Sequence, residues 1–146
     1  MCVRISSQES ILTQSPQSGY AFYGILIAPD SALSGKKIRN CPNISGYIYG
    51  VHAKGVSNSE FSYIGANNNA YTGLYATGTS NTITHNNLSS NGFWGGYGGL
   101  YLEGNNHIVT DNMADNNQLA GTGFWFRGIN NVNISNNNAS GNTFQG

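Results

Sequence analysis

Short stretches of alternating apolar and other side chains recur along the chain at nearly equal distances. When their closing glycines are aligned, the later copies lie 23, 26 and 24 residues apart. Strict alternation over four or more residues predicts a half-buried β-strand, and a fixed period of this length predicts a solenoid. The copies are Tyr49–Gly55, Thr72–Gly78, Gly98–Gly104 and Gly123–Gly128, with an earlier one at Tyr23–Ala28.

A second segment follows each copy and reads apolar-x-x-Asn-x-apolar-x-x-Asn. It begins at Ile83, Ile108 and Ile134, with looser versions at Phe61 and Ile38. Asn and Gly tolerate the left-handed backbone of tight corners, and identical Asn residues on successive coils can hydrogen-bond in a ladder. No long window holds apolar residues at helical spacing, which excludes a helical solenoid. We therefore predict an all-β fold, a parallel β-helix of about five coils.

The combination Gly-Leu-Tyr-x-x-Gly followed by Asn-x-Ile-x-x-Asn-x-Leu-x-x-Asn resembles the repeats of the pectate-lyase-like superfamily. Its members include pectin-degrading enzymes, mannuronan epimerases, periplasmic copper-site maturation proteins and phage tailspikes. The resemblance covers roughly residues 23–146 and implies a right-handed, single-stranded parallel β-helix. Residues 1–22 are then an N-terminal cap or lead-in segment. The resemblance implies no single activity, because the repeats encode coils and not chemistry.

Strand alternation also predicts which side chains of the first segment point outward. One outward column is Leu26, His52, Tyr75, Tyr101 and Trp125, and beside it run Ala28, Lys54, Thr77, Glu103 and Arg127. Either the stacked rings only stabilise the sheet and Glu103–Arg127 is a surface ion pair of little value, or rings and charges together bind a polysaccharide. The candidate carbohydrate-binding residues are His52, Lys54, Tyr75, Tyr101, Glu103, Trp125 and Arg127. Glycine-rich insertions at Gly92–Gly98 and Ala120–Phe124 are expected to rim this face.

Catalysis by this chain alone is not expected. A glycosidase needs two carboxyl groups, and Glu103 is the one acid on the outward face, whereas Asp111 takes the place of Asn86 in the predicted corner ladder. A uronate lyase or epimerase needs a base and a positive group. The base could be Tyr101, Tyr75 or His52, and the positive group Arg127 or Lys54. The resemblance brings neither the acid-rich calcium clusters of pectate lyases nor the Tyr-Gly-x-Asp-Pro-His motif of mannuronan epimerases. No catalytic residue, metal ligand or cofactor is predicted.

The composition narrows the class of binding partner that can be expected. Charged residues make up 8% of the chain, and six basic groups balance six acidic ones. Because a nucleic-acid-binding domain normally carries a basic surplus, nucleic acid is not an expected partner. The 22 asparagines and 20 glycines instead indicate a surface of turns and ladders. No apolar run is long enough for a membrane span.

The two cysteines, Cys2 and Cys41, form no disulfide framework, and Cys41 is interpreted as a small buried apolar group at the position of Ile64. With no capping helix near residue 146, we expect a trimer, an end-to-end stack or a longer parent chain. The working hypothesis is an extracellular or virion-surface module that recognises a polysaccharide. A non-catalytic structural β-helix of a spike or filament is the alternative, and a uronate lyase or epimerase comes third.

Overall fold

The computed structural model describes residues 3–4, 21–27, 33–119 and 121–146. The predicted cap over residues 1–22 therefore lies largely outside the described residues. Three further positions lie wholly outside them: Cys2, the column residue Ala28, and Ala120. The described parts are all-β, and no helix in them is long and apolar enough to cross a membrane. The strands are β1 Val3–Arg4, β2 Ala21–Ile27, β3 Leu33–Ser34, β4 Lys37–Cys41, β5 Tyr47–Ala53, β6 Val56–Ser57, β7 Glu60–Ile64, β8 Thr72–Thr79, β9 Thr82–Thr84, β10 Gly98–Asn105, β11 Ile108–Thr110, β12 Phe124–Asn130 and β13 Asn133–Ser135.

The strands wind into a solenoid with two long sheets. One sheet has the parallel order β12-β10-β8-β5-β2, and its five strands define coils 5 to 1. The other has the order β1-β4-β7-β9-β11-β13, in which all neighbours are parallel except β1 and β4. A short pair, β3 and β6, lies at the corner between them. The predicted parallel β-helix is confirmed.

The core consists of one apolar stack inside the coils. The inward positions of coils 2 to 4, such as Val51, Leu74 and Leu100, are fully buried and lie opposite each other in the register. Each fully buried side chain of this size contributes about 1.5–3 kcal/mol. A glycine comes directly before the first inward apolar residue of each strand of the five-stranded sheet. A Cβ on Gly50 would lie 2.6 Å from the carbonyl oxygen of Gly73, so a side chain does not fit there.

Asparagine ladders close the corners, as predicted. The backbone N–H of Asn69 donates to Oδ1 of Asn91 at 2.9 Å, and Asn91 donates in the same way to Asn117 at 2.9 Å. Asn86 and Asn112 form a second ladder with an N–H to Oδ1 distance of 3.0 Å. These side chains are buried. They satisfy backbone donors that would otherwise be unpaired at each corner.

The sequence alignment of the second segment was wrong by one residue in coil 4. Val109, and not Ile108, lies opposite Ile83, and Ile108 is 44% exposed. Asn112 therefore occupies the ladder, and Asp111 is an exposed corner residue with φ of 58°. Because residues 108 and 109 are both apolar, the sequence pattern fits in either of two registers. The choice matters, because a shift of one residue turns every side chain to the other face.

A third ladder contains a histidine. The backbone N–H of Ser59 donates to Oδ1 of Asn81 at 3.1 Å, and the N–H of Asn81 donates to Nδ1 of His107 at 3.1 Å. His107 is buried, and this burial lowers the pKa of its imidazole. A neutral imidazole thus replaces the amide oxygen that asparagine supplies one coil earlier.

Cys41 lies opposite Ile64 in the register and is buried, as predicted. It is also disulfide-bonded, although the sequence indicated no disulfide framework. Composition alone did not indicate the bond, because two cysteines 39 residues apart define no spacing pattern.

An aromatic ridge on the five-stranded sheet

The predicted outward column exists in the register of the five-stranded sheet. Leu26, His52, Tyr75, Tyr101 and Trp125 lie opposite one another on consecutive strands. The His52 and Tyr75 rings stack at 4.6 Å with planes 3° apart, and Tyr75 stacks on Tyr101 at 4.6 Å and 2°. The separation is close to the spacing of neighbouring strands, so equal side-chain orientations on successive coils are enough to produce the stack.

A second row of tyrosines, which was not predicted, lies beside this column. Tyr23 stacks on Tyr49 with ring centroids 5.8 Å apart, Tyr49 meets Tyr71 edge-on at 5.4 Å, and Tyr71 meets Tyr97 at 5.9 Å. Each of the four comes one or two residues before the buried glycine of its strand, which is Gly24, Gly50, Gly73 or Gly99. That spacing was a usable signal, but strict alternation breaks at these glycines, because the glycine and the residue after it are both buried. We define the aromatic ridge as Tyr23, Tyr49, His52, Tyr71, Tyr75, Tyr97, Tyr101 and Trp125.

Tyr101 points outward but is covered. Tyr97, at the end of the insertion over residues 92–98, lies 4.3 Å from Tyr101 and 5.4 Å from Trp125. Tyr101 is consequently only 2% exposed, and the expectation of an open ring there was wrong. The insertion reaches this position because Gly96 lies on the Tyr71 ring, where a Cβ would come within 2.5 Å of it.

The charged column flanks the ridge. Thr77, Glu103 and Arg127 lie opposite one another in the register, and Lys54 and Arg127 are exposed. The Tyr101 hydroxyl donates to Oε2 of Glu103 at 2.7 Å. Burial, together with that carboxylate, raises the pKa of Tyr101 to about 12, against the opposing effect of nearby Arg127. Glu103 is thus tied to the ridge, whereas the two cations face solvent.

The environment of the ridge favours the neutral forms of Tyr49, Tyr75 and His52. Burial, followed by neighbouring phenols such as that of Tyr71, raises the pKa of Tyr49 to about 12. Burial and then Glu103 raise the pKa of Tyr75. Burial and then Lys54 lower the pKa of His52, whose Nδ1 is buried with no hydrogen-bond partner. Phenols that hold their protons can donate to ligand oxygens, and Tyr49 and Tyr75 are partly exposed.

The side chains of Tyr101 and Asp115 are both held by hydrogen bonds. Tyr101 is protonated and enclosed, so it is not poised as a base for a uronate. Asp115 is engaged at a distant corner, where its Oδ1 accepts from the N–H of Ser140 at 2.8 Å. In the described ranges, no group of three or more His, Cys, Asp and Glu residues could hold a metal ion.

Comparison with known families supports the fold. A family model described as "Right handed beta helix region" matches residues 23–146. No curated protein and no solved structure matches the chain. The match agrees with the resemblance to pectate-lyase-like repeats. It concerns the repeats that form the coils, whereas the aromatic residues of the ridge are a feature of this chain.

Proposed function

The chain belongs to the right-handed beta helix family, and on that scaffold we propose that it binds a polysaccharide along the aromatic ridge. The observation that carries the proposal is the chemistry of the rings: every phenyl ring of the ridge bears a hydroxyl group, whereas Phe61 is buried in the core and Phe124 and Phe126 pack against it. An exposed phenylalanine, Phe22, lies next to the end of the ridge, 6.0 Å from the ring of Tyr23. Packing alone does not require hydroxyl groups. A ligand rich in oxygen does, because phenols both donate and accept hydrogen bonds.

The length of the ridge favours a polymer. It crosses all five coils, from Tyr23 on β2 to Trp125 on β12, which is about 20 Å at the usual spacing between strands. A ligand that contacts the whole ridge is therefore several sugar rings long. Such polymers occur outside cells, so an extracellular or virion-surface location is part of the same proposal.

The flanking charges favour acidic sugars. Lys54 and Arg127 are exposed on coils 2 and 5, and a guanidinium can hold a carboxylate through two parallel hydrogen bonds. Glu103 adds little repulsion, because it accepts a hydrogen bond from Tyr101 and lies next to Arg127 in the register. Uronic-acid polymers are thus expected to bind more tightly than neutral ones, and added salt is expected to reduce that difference.

The test is binding of the purified protein to polygalacturonate, alginate, dextran and xylan. A triple variant with Tyr49→Phe, Tyr71→Phe and Tyr97→Phe keeps every ring and removes three hydroxyl groups. At about 1 kcal/mol for each lost hydrogen bond, affinity should fall at least about tenfold. The matched control is Tyr47→Phe, because this ring packs against the core. Unchanged affinity in the triple variant, or no binding of any polymer by the unaltered protein, would refute the proposal.

A second candidate is a structural β-helix that assembles through coil 5. The inward side chains Phe124 and Phe126 are only partly buried there, and Ile134 is 47% exposed. A second molecule stacked on coil 5 would cover them. A uronate lyase is the third candidate, and following the ultraviolet absorbance of unsaturated uronates during the binding assay distinguishes it from a protein that only binds.

A further inference from the structure

A column of left-handed residues runs along the six-stranded sheet, away from the ridge. Arg39, Ser62, Thr84, Thr110 and Ser135 lie opposite one another in the register. The residue after each of them has a positive φ, between 53° and 58°. We define the left-handed column as these following residues: Asn40, Tyr63, His85, Asp111 and Asn136.

Tyr63 is the anomaly of this column. Asn, Asp and His are the residues other than glycine that most often adopt a left-handed backbone, whereas a bulky side chain there is a strained outlier. Coils 1 and 5 have asparagine at this position. Tyr63 is also 56% exposed, so its ring gains little from the core. Strained residues of this kind are concentrated at binding sites.

His85 orders the Tyr63 ring and adds polar groups. The two rings stack with centroids 5.0 Å apart and planes 22° apart. Nδ1 of His85 is hydrogen-bonded to the Thr84 hydroxyl at 2.8 Å, and that hydroxyl is 3.1 Å from the hydroxyl of Thr110. An exposed ring therefore lies on the face of an imidazole that is itself hydrogen-bonded to the first of two linked threonine hydroxyl groups.

We propose that Tyr63 and His85 form a second saccharide contact, separate from the ridge. An exposed aromatic ring next to hydroxyl and imidazole groups suits a sugar ring, which offers an apolar face and hydroxyl groups at its edge. The proposal takes its ligand class from the proposed function. Two contacts on different sheets would allow one molecule to hold two chains, or two segments of one chain, with a gain in avidity.

The three histidines of the chain provide separate reporters for the test. His52 lies in the ridge, His85 in the second contact, and His107 is buried in a ladder. Short fragments of polygalacturonate and of dextran are titrated into the full chain while the three imidazole signals are followed by NMR. We expect the His52 and His85 signals to shift to saturation and the His107 signal to stay in place. Tyr63→Asn should abolish the His85 shift alone, and Tyr63→Phe should keep it.

Each outcome decides between the two sites. A shift of His52 without His85 would overturn the second contact and leave the ridge proposal standing. A shift of His85 alone would support the second contact and count against the ridge, and no shift with either probe would count against both. Tyr63→Asn should also raise the melting temperature, because asparagine relieves the backbone strain. A lower melting temperature would show that the ring pair is there for stability, and would overturn the proposal.

Discussion

At the residue scale, the structure depends on single side chains that accept hydrogen bonds from buried backbone N–H groups. His107 accepts the N–H of Asn81 through Nδ1, and an imidazole can accept there only while that nitrogen carries no proton. Protonation would place a second donor against the Asn81 N–H inside the core. The hydrogen bond from Asn81 to His107 is therefore kept at neutral pH and lost when the imidazole is protonated in acid.

We predict that this histidine makes the fold sensitive to acid. Burial lowers the pKa of His107 below its ordinary value of 6.5, so the unfolded chain binds the proton more readily. Its contribution to stability is complete above about pH 6.5 and is lost as the pH falls from there through the folded-state pKa. His107→Asn supplies an amide oxygen in place of Nδ1 and should flatten this dependence, measured as the free energy of urea unfolding at pH 7.5 and pH 5.

The control for this prediction is His85→Asn. His85 is exposed in the left-handed column, where asparagine is also accommodated, so this variant should keep the acid sensitivity. His52, whose pKa is also lowered, will leave a residual pH dependence in both variants. An equal loss of stability in acid for the unaltered protein and for His107→Asn would contradict the prediction.

At the scale of elements, the ladders tie each coil to the next. Asn91 accepts the N–H of Asn69 and donates through Nδ2 to the carbonyl oxygen of Ala66 at 2.9 Å. It also donates its own N–H to Asn117. Asn91, through its side chain and its backbone N–H, thus links three coils in a buried corner.

Removing a rung should destabilise the whole stack. Asn91→Ala leaves the Asn69 N–H and the Ala66 carbonyl without this partner, and buried unsatisfied groups cost about 1–3 kcal/mol each. We expect a loss of about 3 kcal/mol in the free energy of unfolding, measured by urea denaturation. Asn133→Ala, at an exposed position of β13, should change stability by less than about 0.5 kcal/mol. Comparable losses in the two variants would show that the ladder is not a source of stability.

The sequence predicted the positions of the strands better than the exposure of the side chains on them. Alternation and the recurring glycines define the strands of the five-stranded sheet, so the column from Leu26 to Trp125 was found correctly. Coil 4 was misaligned because Ile108 and Val109 satisfy the pattern equally. The burial of Tyr101 could not be predicted, because it depends on the path of a glycine-rich insertion that follows no repeat.

At the scale of the whole molecule, the stack is closed along its sides and exposed at coil 5. Inward residues of coils 2 to 4, such as Leu102, are fully buried, whereas Ile134 is 47% exposed. The net charge is zero, so charge repulsion between molecules does not oppose association. Among residues 121–146, Arg127 is the sole charged side chain, and exposed strand edges without charges or prolines favour pairing.

A chain of these 146 residues is therefore predicted to associate through coil 5, and not through the sides of its coils. Ile134→Asn should lower the association constant at least about tenfold, since it replaces an exposed apolar contact worth about 1.5–3 kcal/mol when fully buried. Ile108→Asn is the matched control, because Ile108 is 44% exposed on the side of coil 4. Light scattering and sedimentation across a range of protein concentrations measure both variants. A stronger effect of Ile108→Asn would indicate a side-by-side trimer instead, and a monomer at every concentration would contradict association by either surface.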